Sequence, residues 1–267
     1  MKWFVWISLF ILLVMFFCAK VALSDQLKIS GTTNTDDAQI LYNRPWGLGT
    51  YDPAVGFNNN YGATTTGYIT TLGAAESDTT FYRFFIRPKN LSSLLPANAN
   101  VTACVCSLYC STNSIDGNVS AYRVLKPWVE GDENGTDNDD GDITYADWAS
   151  DASEWGTFGC MNAADSVDNS GDGTRPDRWT TAMSTVNVTT VNTWYSWTVD
   201  TATVNGWYHG TMTENGIVFI AAAGANNRFY CSEYTTDTTL IPRFFITYTV
   251  SAPTNNRRNN LIRKIMK

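Results

Sequence analysis

Short runs of aromatic and β-branched residues, separated by clusters of Asn, Asp, Gly and Pro, make up most of this chain. Such runs indicate β-strands joined by turns, because branched and aromatic side chains fit a pleated surface while the intervening residues favour turns. The run 193–199 alternates with the two-residue period of a half-buried strand, with Trp194 and Ser196 on one face and Trp197 on the other. This pattern predicts an all-β protein.

Further strands are predicted at five places, 81–86, 101–110, 121–128, 216–223 and 243–250. One short helix is predicted over 200–207, because Asp200 can cap its first turn and Val204 and Trp207 lie three residues apart. Together these elements predict a single antiparallel jelly-roll β-sandwich with one short helix and a long acidic loop insert.

Composition agrees with this class and excludes several others. Charged residues are only 16% of the chain and aromatic residues are 13%. Low charge argues against a protein of long helices, and the many aromatic side chains can bury a core, which argues against disorder. A sequence pI of about 4.7 argues against a nucleic-acid partner, because that partner calls for a basic surface.

The first 24 residues have the pattern of a secretory signal peptide. Lys2 precedes an apolar run over 3–18, and Ala22 and Ser24 are small residues at positions −3 and −1 of a cut before Asp25. An uncleaved anchor helix is the alternative, and it is the only membrane contact that the sequence predicts. Both versions predict a secreted, extracellular or cell-surface protein.

The remainder divides into one domain over 25–251 and a basic polar tail over 252–267. Between residues 25 and 256 there are 25 acids and 11 bases. An excess of this size disfavours binding of a bare polyanion, because like charges repel.

Five cysteines follow the leader, and they are Cys104, Cys106, Cys110, Cys160 and Cys231. In an oxidising compartment they could form two disulfides at most. The first three share one strand face, so partners are expected from Cys160 or Cys231. Small buried residues are the alternative interpretation. A metal site of the three cysteines with His209 is disfavoured, because the spacing is not a standard zinc pattern.

A long stretch over 130–178 begins with an acidic, glycine-rich segment that has no apolar face. Within it, Asp168, Ser170 and Asp172 occupy alternate positions before Gly173, which is the first half of a calcium loop. Position 12 is Trp179 rather than Glu, so a full EF-hand is excluded. Structural calcium is one prediction for this loop, and a turn held by Asx side chains is the alternative.

Several short motifs follow one another in order over roughly 39–250. They are Asn59-Asn60-Tyr61-Gly62, Tyr82-Arg83-Phe84, 95–102, Leu108-Tyr109, Trp128-Val129-Glu130, 194–210, 215–218, Cys231-Ser232-Glu233-Tyr234 and 242–248. In this order they resemble the DNRLRE (disaggregatase-related) domain, also classed as carbohydrate-binding module family 96. The cysteines and the enlarged insert over 130–178 depart from the family pattern. The resemblance implies an exported jelly-roll module that binds polysaccharides, acidic polymers such as alginate among them.

Sugar recognition without catalysis needs aromatic rings for stacking and planar polar groups for the hydroxyls. The predicted carbohydrate-binding residues are loop aromatics together with two arginines on one strand face: Tyr61, Trp128, Trp148, Trp155, Trp179, Arg83 and Arg87. Strand and helix aromatics are assigned to the core instead: Phe84, Trp194, Trp197, Trp207 and Tyr248. Because of the acidic body, a neutral or cation-bridged glycan is favoured over a bare polyanion.

The sequence therefore predicts a secreted, non-catalytic carbohydrate-binding module that binds a polysaccharide at the cell surface or in the matrix. A structural or adhesive surface protein with the same sandwich is one alternative, and a small polysaccharide lyase or glycoside hydrolase is another. No catalytic residue is assigned. His209 has no nucleophile motif to serve, and Glu130 and Glu233 are interpreted as framework residues of the family pattern.

Overall fold

A computed structural model describes residues 24–43, 59–72, 80–137, 142–144, 155–156, 159–164 and 176–251 of the chain. The apolar part of the predicted leader, the tail after residue 251, Trp148 and the predicted calcium loop with Asp168, Ser170 and Asp172 lie outside these residues. Ser24, the last residue of the predicted leader, begins the first strand.

Fifteen strands are β1 (Ser24–Ser30), β2 (Thr35–Asn43), β3 (Asn59–Asn60), β4 (Thr66–Leu72), β5 (Thr80–Pro88), β6 (Ala99–Ile115), β7 (Gly117–Arg123), β8 (Thr136–Asp137), β9 (Ala163–Ala164), β10 (Arg178–Trp179), β11 (Ser184–Val188), β12 (Thr193–Thr198), β13 (Ile217–Ala221), β14 (Asn226–Tyr230) and β15 (Arg243–Val250). Two helices are α1 (Leu91–Leu94) and α2 (Thr201–Tyr208).

Eleven of these strands form one sheet, in which the pairs are antiparallel. The order along the sheet is β1-β15-β6-β14-β4-β5-β13-β7-β11, while β12 also pairs with β6 and β2 with β5. The sheet curls, and it brings β11 next to β12, where the Ser184 hydroxyl donates to the Thr198 carbonyl at 3.0 Å. Two pairs of two-residue strands, β3 with β8 and β9 with β10, lie apart from it.

The inner face of the curled sheet packs around what we call the main core. Its largest wholly buried side chains include Phe84, Trp197, Phe219, Phe229 and Phe244. The Trp197 ring lies 4.9 Å from Phe219 and 6.0 Å from Phe229 between centroids, and its indole nitrogen donates to the Val119 carbonyl at 2.8 Å. The alternation predicted for 193–199 thus places Trp197 inside, as expected.

A second, smaller core lies on the outer face of β2, β5, β7 and β13, where the chain after β7 covers the sheet. This loop-covered core consists of Ala38, Ile40, Phe85, Val124, Trp128, Ile143, Trp155, Cys160 and Val218. The strand β5 is therefore buried on both faces, with Phe84 in the main core and Phe85 in the loop-covered core. The two-sided burial explains why β5 has no polar alternation in the sequence.

The predicted all-β class is confirmed, and the structure is mostly antiparallel β. Helix α2 also agrees with its prediction, because the Asp200 carboxylate accepts a hydrogen bond from the Thr203 backbone amide at 2.8 Å. The prediction of a single helix is corrected by α1, a single turn that starts after Asn90 in a left-handed conformation.

The strand predicted over 121–128 is too long, because β7 ends at Arg123. Beyond that point the backbone leaves the sheet and turns over its outer face, where Trp128 packs inward. Neither helix in the part of the chain that the structure describes is long and apolar enough to cross a membrane.

Candidate functional site

A row of half-buried aromatic rings and two arginines crosses the sheet on the face opposite the main core. We call it the outer aromatic band, and it consists of Tyr68, Tyr109, Trp194, Arg228, Tyr230, Tyr234, Arg243 and Phe245. These residues come from β4, β6, β12, β14 and β15, and Tyr234 follows β14.

Contacts between neighbours connect six of the eight residues of the band. The Tyr230 ring stacks on Tyr234 at 3.8 Å and on Tyr109 at 6.0 Å between centroids, and the Trp194 ring lies edge-on to Tyr109 at 5.4 Å. At one end, the Arg243 guanidinium lies 3.5 Å from the centre of the Trp194 ring.

Two further arginine–aromatic contacts belong to the band. The Arg243 guanidinium also lies 5.1 Å from the Phe245 ring, and the Arg228 guanidinium lies 4.8 Å from the Tyr68 ring. Each of these arginines thus lies over an aromatic face, which holds a planar cation by cation–π attraction.

Strand register explains why these side chains meet. Trp194 pairs with Tyr109, Arg228 pairs with Tyr68, and Arg243 pairs with Ser107. Since paired residues point to the same side of a sheet, the rings of adjacent strands lie side by side. Their immediate chain neighbours, such as Leu108 and Phe229, point into the main core.

Chemically, the outer aromatic band combines half-buried aromatic rings with planar cationic donors. An aromatic face can stack on the apolar face of a pyranose, and a guanidinium can donate several hydrogen bonds in one plane. Burial lowers the pKa of Arg243. A guanidinium nevertheless remains protonated in proteins, so it can donate in this way.

Two of the loop tryptophans predicted to bind sugar are buried instead. Trp128 is 1% exposed and donates its indole hydrogen to the Asn215 carbonyl, and Trp155 is 3% exposed and donates to the Thr144 carbonyl. Both pack on Phe85 in the loop-covered core, with ring centroids 5.7 Å away. They attach the long loop to the sheet and present no face to a ligand.

The predicted basic patch of Arg83 and Arg87 is also not a free surface. Both lie on one face of β5, as predicted, but Arg83 is 3% exposed beneath the covering loop, where it contacts Met161. Arg87 pairs with the Asp36 carboxylate at 2.7 Å, and its guanidinium lies 4.7 Å from the Trp128 ring. The covering loop, which the strand pattern alone does not reveal, buries Arg83, while Arg87 stays partly exposed and is held by Asp36.

The other predicted loop aromatics are half-buried. Tyr61 lies against the backbone of Gly135, and Trp179 lies under the Arg123 guanidinium at 4.3 Å from the ring centre. Both are partly accessible, but neither belongs to the outer aromatic band. His209 is exposed, ends α2 and lies 4.5 Å from the Tyr208 ring.

All five cysteines are free thiols in buried positions, in place of the predicted disulfides. Cys104, Cys106 and Cys110 share the inner face of β6, as their parity predicts. Cys231 lies in the same main core, whereas Cys160 lies in the loop-covered core across the sheet from them. Burial raises the pKa of Cys104 to about 12 and that of Cys110 to about 11, so both are protonated at neutral pH and poor metal ligands.

A second cluster of chemistry-bearing side chains lies where β2 meets two loops. One carboxylate oxygen from each of Asp37, Glu130 and Glu233 lies within 4.8 Å of the others. Asp37 is 1% exposed, while Glu130 and Glu233 are half-buried. We refer to these three residues as the acidic cluster.

Backbone hydrogen bonds hold the acidic cluster in place. Glu130 accepts from the Asp37 amide at 2.6 Å, and Asp37 accepts from the Ser232 amide at 2.8 Å. The Ser232 hydroxyl donates to Glu233 at 2.8 Å. Glu130 and Asp37 are therefore oriented by residues distant from them in sequence, and Glu233 is oriented by its neighbour Ser232.

Confining three acids raises their pKa values. Burial raises the pKa of Glu130 to about 8, and the neighbouring Asp36 and Glu233 carboxylates add to this shift. Burial, followed by repulsion from Glu233 and Glu130, holds the pKa of Asp37 well above its usual range. Burial also raises the pKa of Glu233, although the hydrogen bond from Ser232 opposes it.

A fourth acid, Glu214, allows a separate test of how burial raises the pKa of a carboxyl group in this fold. It accepts a hydrogen bond from the Leu91 amide at 3.4 Å, and burial raises its pKa to about 7 from an ordinary value of 4.5. Arg87 lowers this pKa and Asp36 raises it. The folded state therefore holds the proton more tightly than the unfolded state, and the stability that this proton contributes is lost as pH rises from about 4.5 to 7.

Replacing Glu214 by glutamine removes this titration. We expect the stability of Glu214→Gln relative to the native chain to increase between pH 4.5 and 7 and to level off above that. Urea unfolding at a series of pH values measures the difference. A difference that stays constant with pH, or decreases, would contradict the assignment of the raised pKa to Glu214.

Sequence reasoning missed both sites for identifiable reasons. It assigned Trp194 to the core because the residue lies on a strand, although its alternation with Trp197 showed that one of the two faces away from the core. It treated Glu130 and Glu233 as framework residues, and no sequence spacing indicates that they meet Asp37. Compared with models of known protein families, the chain matches none, and no curated protein is similar to it.

Proposed function

We propose that this chain is an exported, non-catalytic carbohydrate-binding module that holds a polysaccharide along the outer aromatic band. The observation that carries the proposal is the unbroken series of ring and guanidinium contacts from Phe245 through Trp194, Tyr109 and Tyr230 to Tyr234. Half-buried rings in a row across several strands can contact successive sugars of an extended chain.

The net negative charge of the protein restricts the class of polysaccharide that it can bind. Arg228 and Arg243 can donate to hydroxyls or to an occasional carboxylate, but the body around them carries 25 acids against 11 bases. A neutral glycan, or an acidic one whose charge is bridged by cations, fits this balance better than a bare polyanion.

Contacts between distant segments support a jelly-roll topology and membership of the DNRLRE family. The return of β11 to β12 supports a jelly-roll sandwich, because it brings the two sides of the sheet around one core. Segments that resemble the DNRLRE pattern meet in space, since the Asn60 side chain donates to the Glu130 carbonyl and the Trp128 indole donates to the Asn215 carbonyl. We propose on these grounds that the chain is a DNRLRE-like module of carbohydrate-binding family 96.

Gel retardation by polysaccharides tests the function. Native gels containing neutral or acidic polysaccharides should retard the native chain, and Trp194→Ala and Tyr230→Ala should each weaken binding by about 3- to 10-fold, the value of one stacking contact. Trp179→Ala, which removes a half-buried tryptophan outside the band, is the matched control and should bind as the native chain does.

Other results would favour a structural role or an enzymatic one. Retardation by no polysaccharide would favour a structural or adhesive role for the same sheet. Release of reducing ends or unsaturated products would make the chain a hydrolase or lyase, in which case the acidic cluster would supply the carboxyl groups. Loss of binding in Trp179→Ala alone would move the site to the long loop.

A further inference from the structure

The acidic cluster leaves two buried oxygens without a hydrogen-bond partner. Asp37 uses Oδ2 to accept from Ser232, but its buried Oδ1 has no partner. Glu233 uses Oε1 to accept from the Ser232 hydroxyl, and its buried Oε2 has none either. A buried acceptor without a donor is costly, so these oxygens need either a proton held between the two carboxylates or a group that is not part of the cluster.

Neighbouring basic side chains do not pair with the acids of the cluster. Arg87 and Lys89, the basic residues beside the cluster, both pair with Asp36. Within the part of the chain that the structure describes, no ion pair reaches Asp37, Glu130 or Glu233. Three carboxylates this close cannot all be ionised unless a positive charge lies between them.

We propose that Asp37, Glu130 and Glu233 bind a divalent cation of the calcium type. Oxygen ligands from carboxylates are those that Ca²⁺ prefers, and a spacing within 4.8 Å allows one oxygen of each residue to contact the same ion. The half-buried Glu130 and Glu233 give the ion a route from solvent, and Asp37 forms the floor of the site.

The cation joins three separate parts of the chain. Asp37 lies on β2, Glu130 lies in the segment after β7, and Glu233 follows β14. Binding therefore stabilises the attachment of the loop that covers the outer face of the sheet. Because the ion binds the folded state only, it also raises the stability of the whole domain. The site is distinct from the loop over 168–173, and it does not depend on carbohydrate binding.

Calorimetric titration of the full chain with CaCl₂, after treatment with a chelator, tests the proposal. We expect saturable binding and a higher Tm with Ca²⁺ than with chelator. Glu130→Gln and Glu233→Gln keep the side-chain shape and remove a charge each, so each should weaken Ca²⁺ binding at least 10-fold. The variant Asp168→Asn/Asp172→Asn, which alters the other predicted loop, should retain the binding.

Two outcomes would overturn the site. One is a native chain that binds no Ca²⁺ and whose Tm is the same with CaCl₂ and with chelator, which would mean that the acids share protons instead. The other is binding that survives Glu233→Gln but is lost in the Asp168→Asn/Asp172→Asn variant. Circular dichroism of each variant establishes that it is folded. If a glutamine variant is not, a higher Tm of the Asp168→Asn/Asp172→Asn variant with CaCl₂ than with chelator supports the cluster, and an unchanged Tm contradicts it.

Discussion

Replacing Trp197 by alanine is expected to destabilise the protein by about 3–5 kcal/mol, the usual range for removing a large buried aromatic side chain. The ring is wholly buried between Phe219 and Phe229 in the main core. Its loss leaves a cavity and also removes the donor that satisfies the buried Val119 carbonyl. Equilibrium unfolding in urea, followed by circular dichroism, measures the change.

Trp194 provides the matched control, because it lies three residues earlier in the same strand and on the opposite face. Trp194→Ala should change the free energy of unfolding by much less, since the ring is half-buried and its loss leaves no internal cavity. Equal destabilisation by the two substitutions would contradict the assignment of one face of β12 to the core and the other to the surface.

Replacing Asn60 by alanine is expected to cost about 2–4 kcal/mol, because several buried backbone groups lose their partners at once. The Asn60 amide donates to the Glu130 carbonyl at 2.8 Å and to the Ile143 carbonyl at 2.9 Å, and its oxygen accepts from the Gly62 amide at 2.9 Å. Asn60 is 0% exposed, so water cannot replace these bonds without a local rearrangement.

The neighbouring Asn59 is the control for this substitution. It is half-buried and donates one side-chain hydrogen bond, to the Gly135 carbonyl at 2.8 Å. Asn59→Ala should therefore cost about 1 kcal/mol or less. Hydrogen exchange should further show that Asn60→Ala opens the backbone around Glu130 and Ile143, whereas unchanged protection there would contradict the role of Asn60 in holding this loop.

Local periodicity was sufficient to predict the class of the fold and several of its elements. The alternation in 193–199 corresponds to β12, and the Asp200 cap corresponds to the start of α2. These features depend on neighbours within a few residues, so a single sequence contains the information. Strand order and the curling of the sheet depend on pairings between distant segments, such as Ser24 with Thr249, and no local pattern reveals them.

The sequence was sufficient to predict the residue types of the candidate site but not their positions. Aromatic rings and arginines were the expected residue types, but Trp128 and Trp155 are buried because the chain after β7 folds back over the outer face of the sheet. The rings that remain at the surface lie on strands instead, where Trp194 meets Tyr109 through register. The acidic cluster likewise unites residues up to 196 positions apart, Asp37 and Glu233.

The position of a bound oligosaccharide on the sheet tests the central claim most directly. Oxidative footprinting of the native chain, with and without a saturating oligosaccharide from a polysaccharide that retards it, reports which rings become protected. Binding along the outer aromatic band predicts protection of Tyr109, Trp194 and Tyr230. Trp179 should be unchanged, as should Tyr122, a half-buried ring outside the band that lies under the Arg178 guanidinium. Protection confined to Tyr122 and Trp179, or protection of none of these rings, would contradict it.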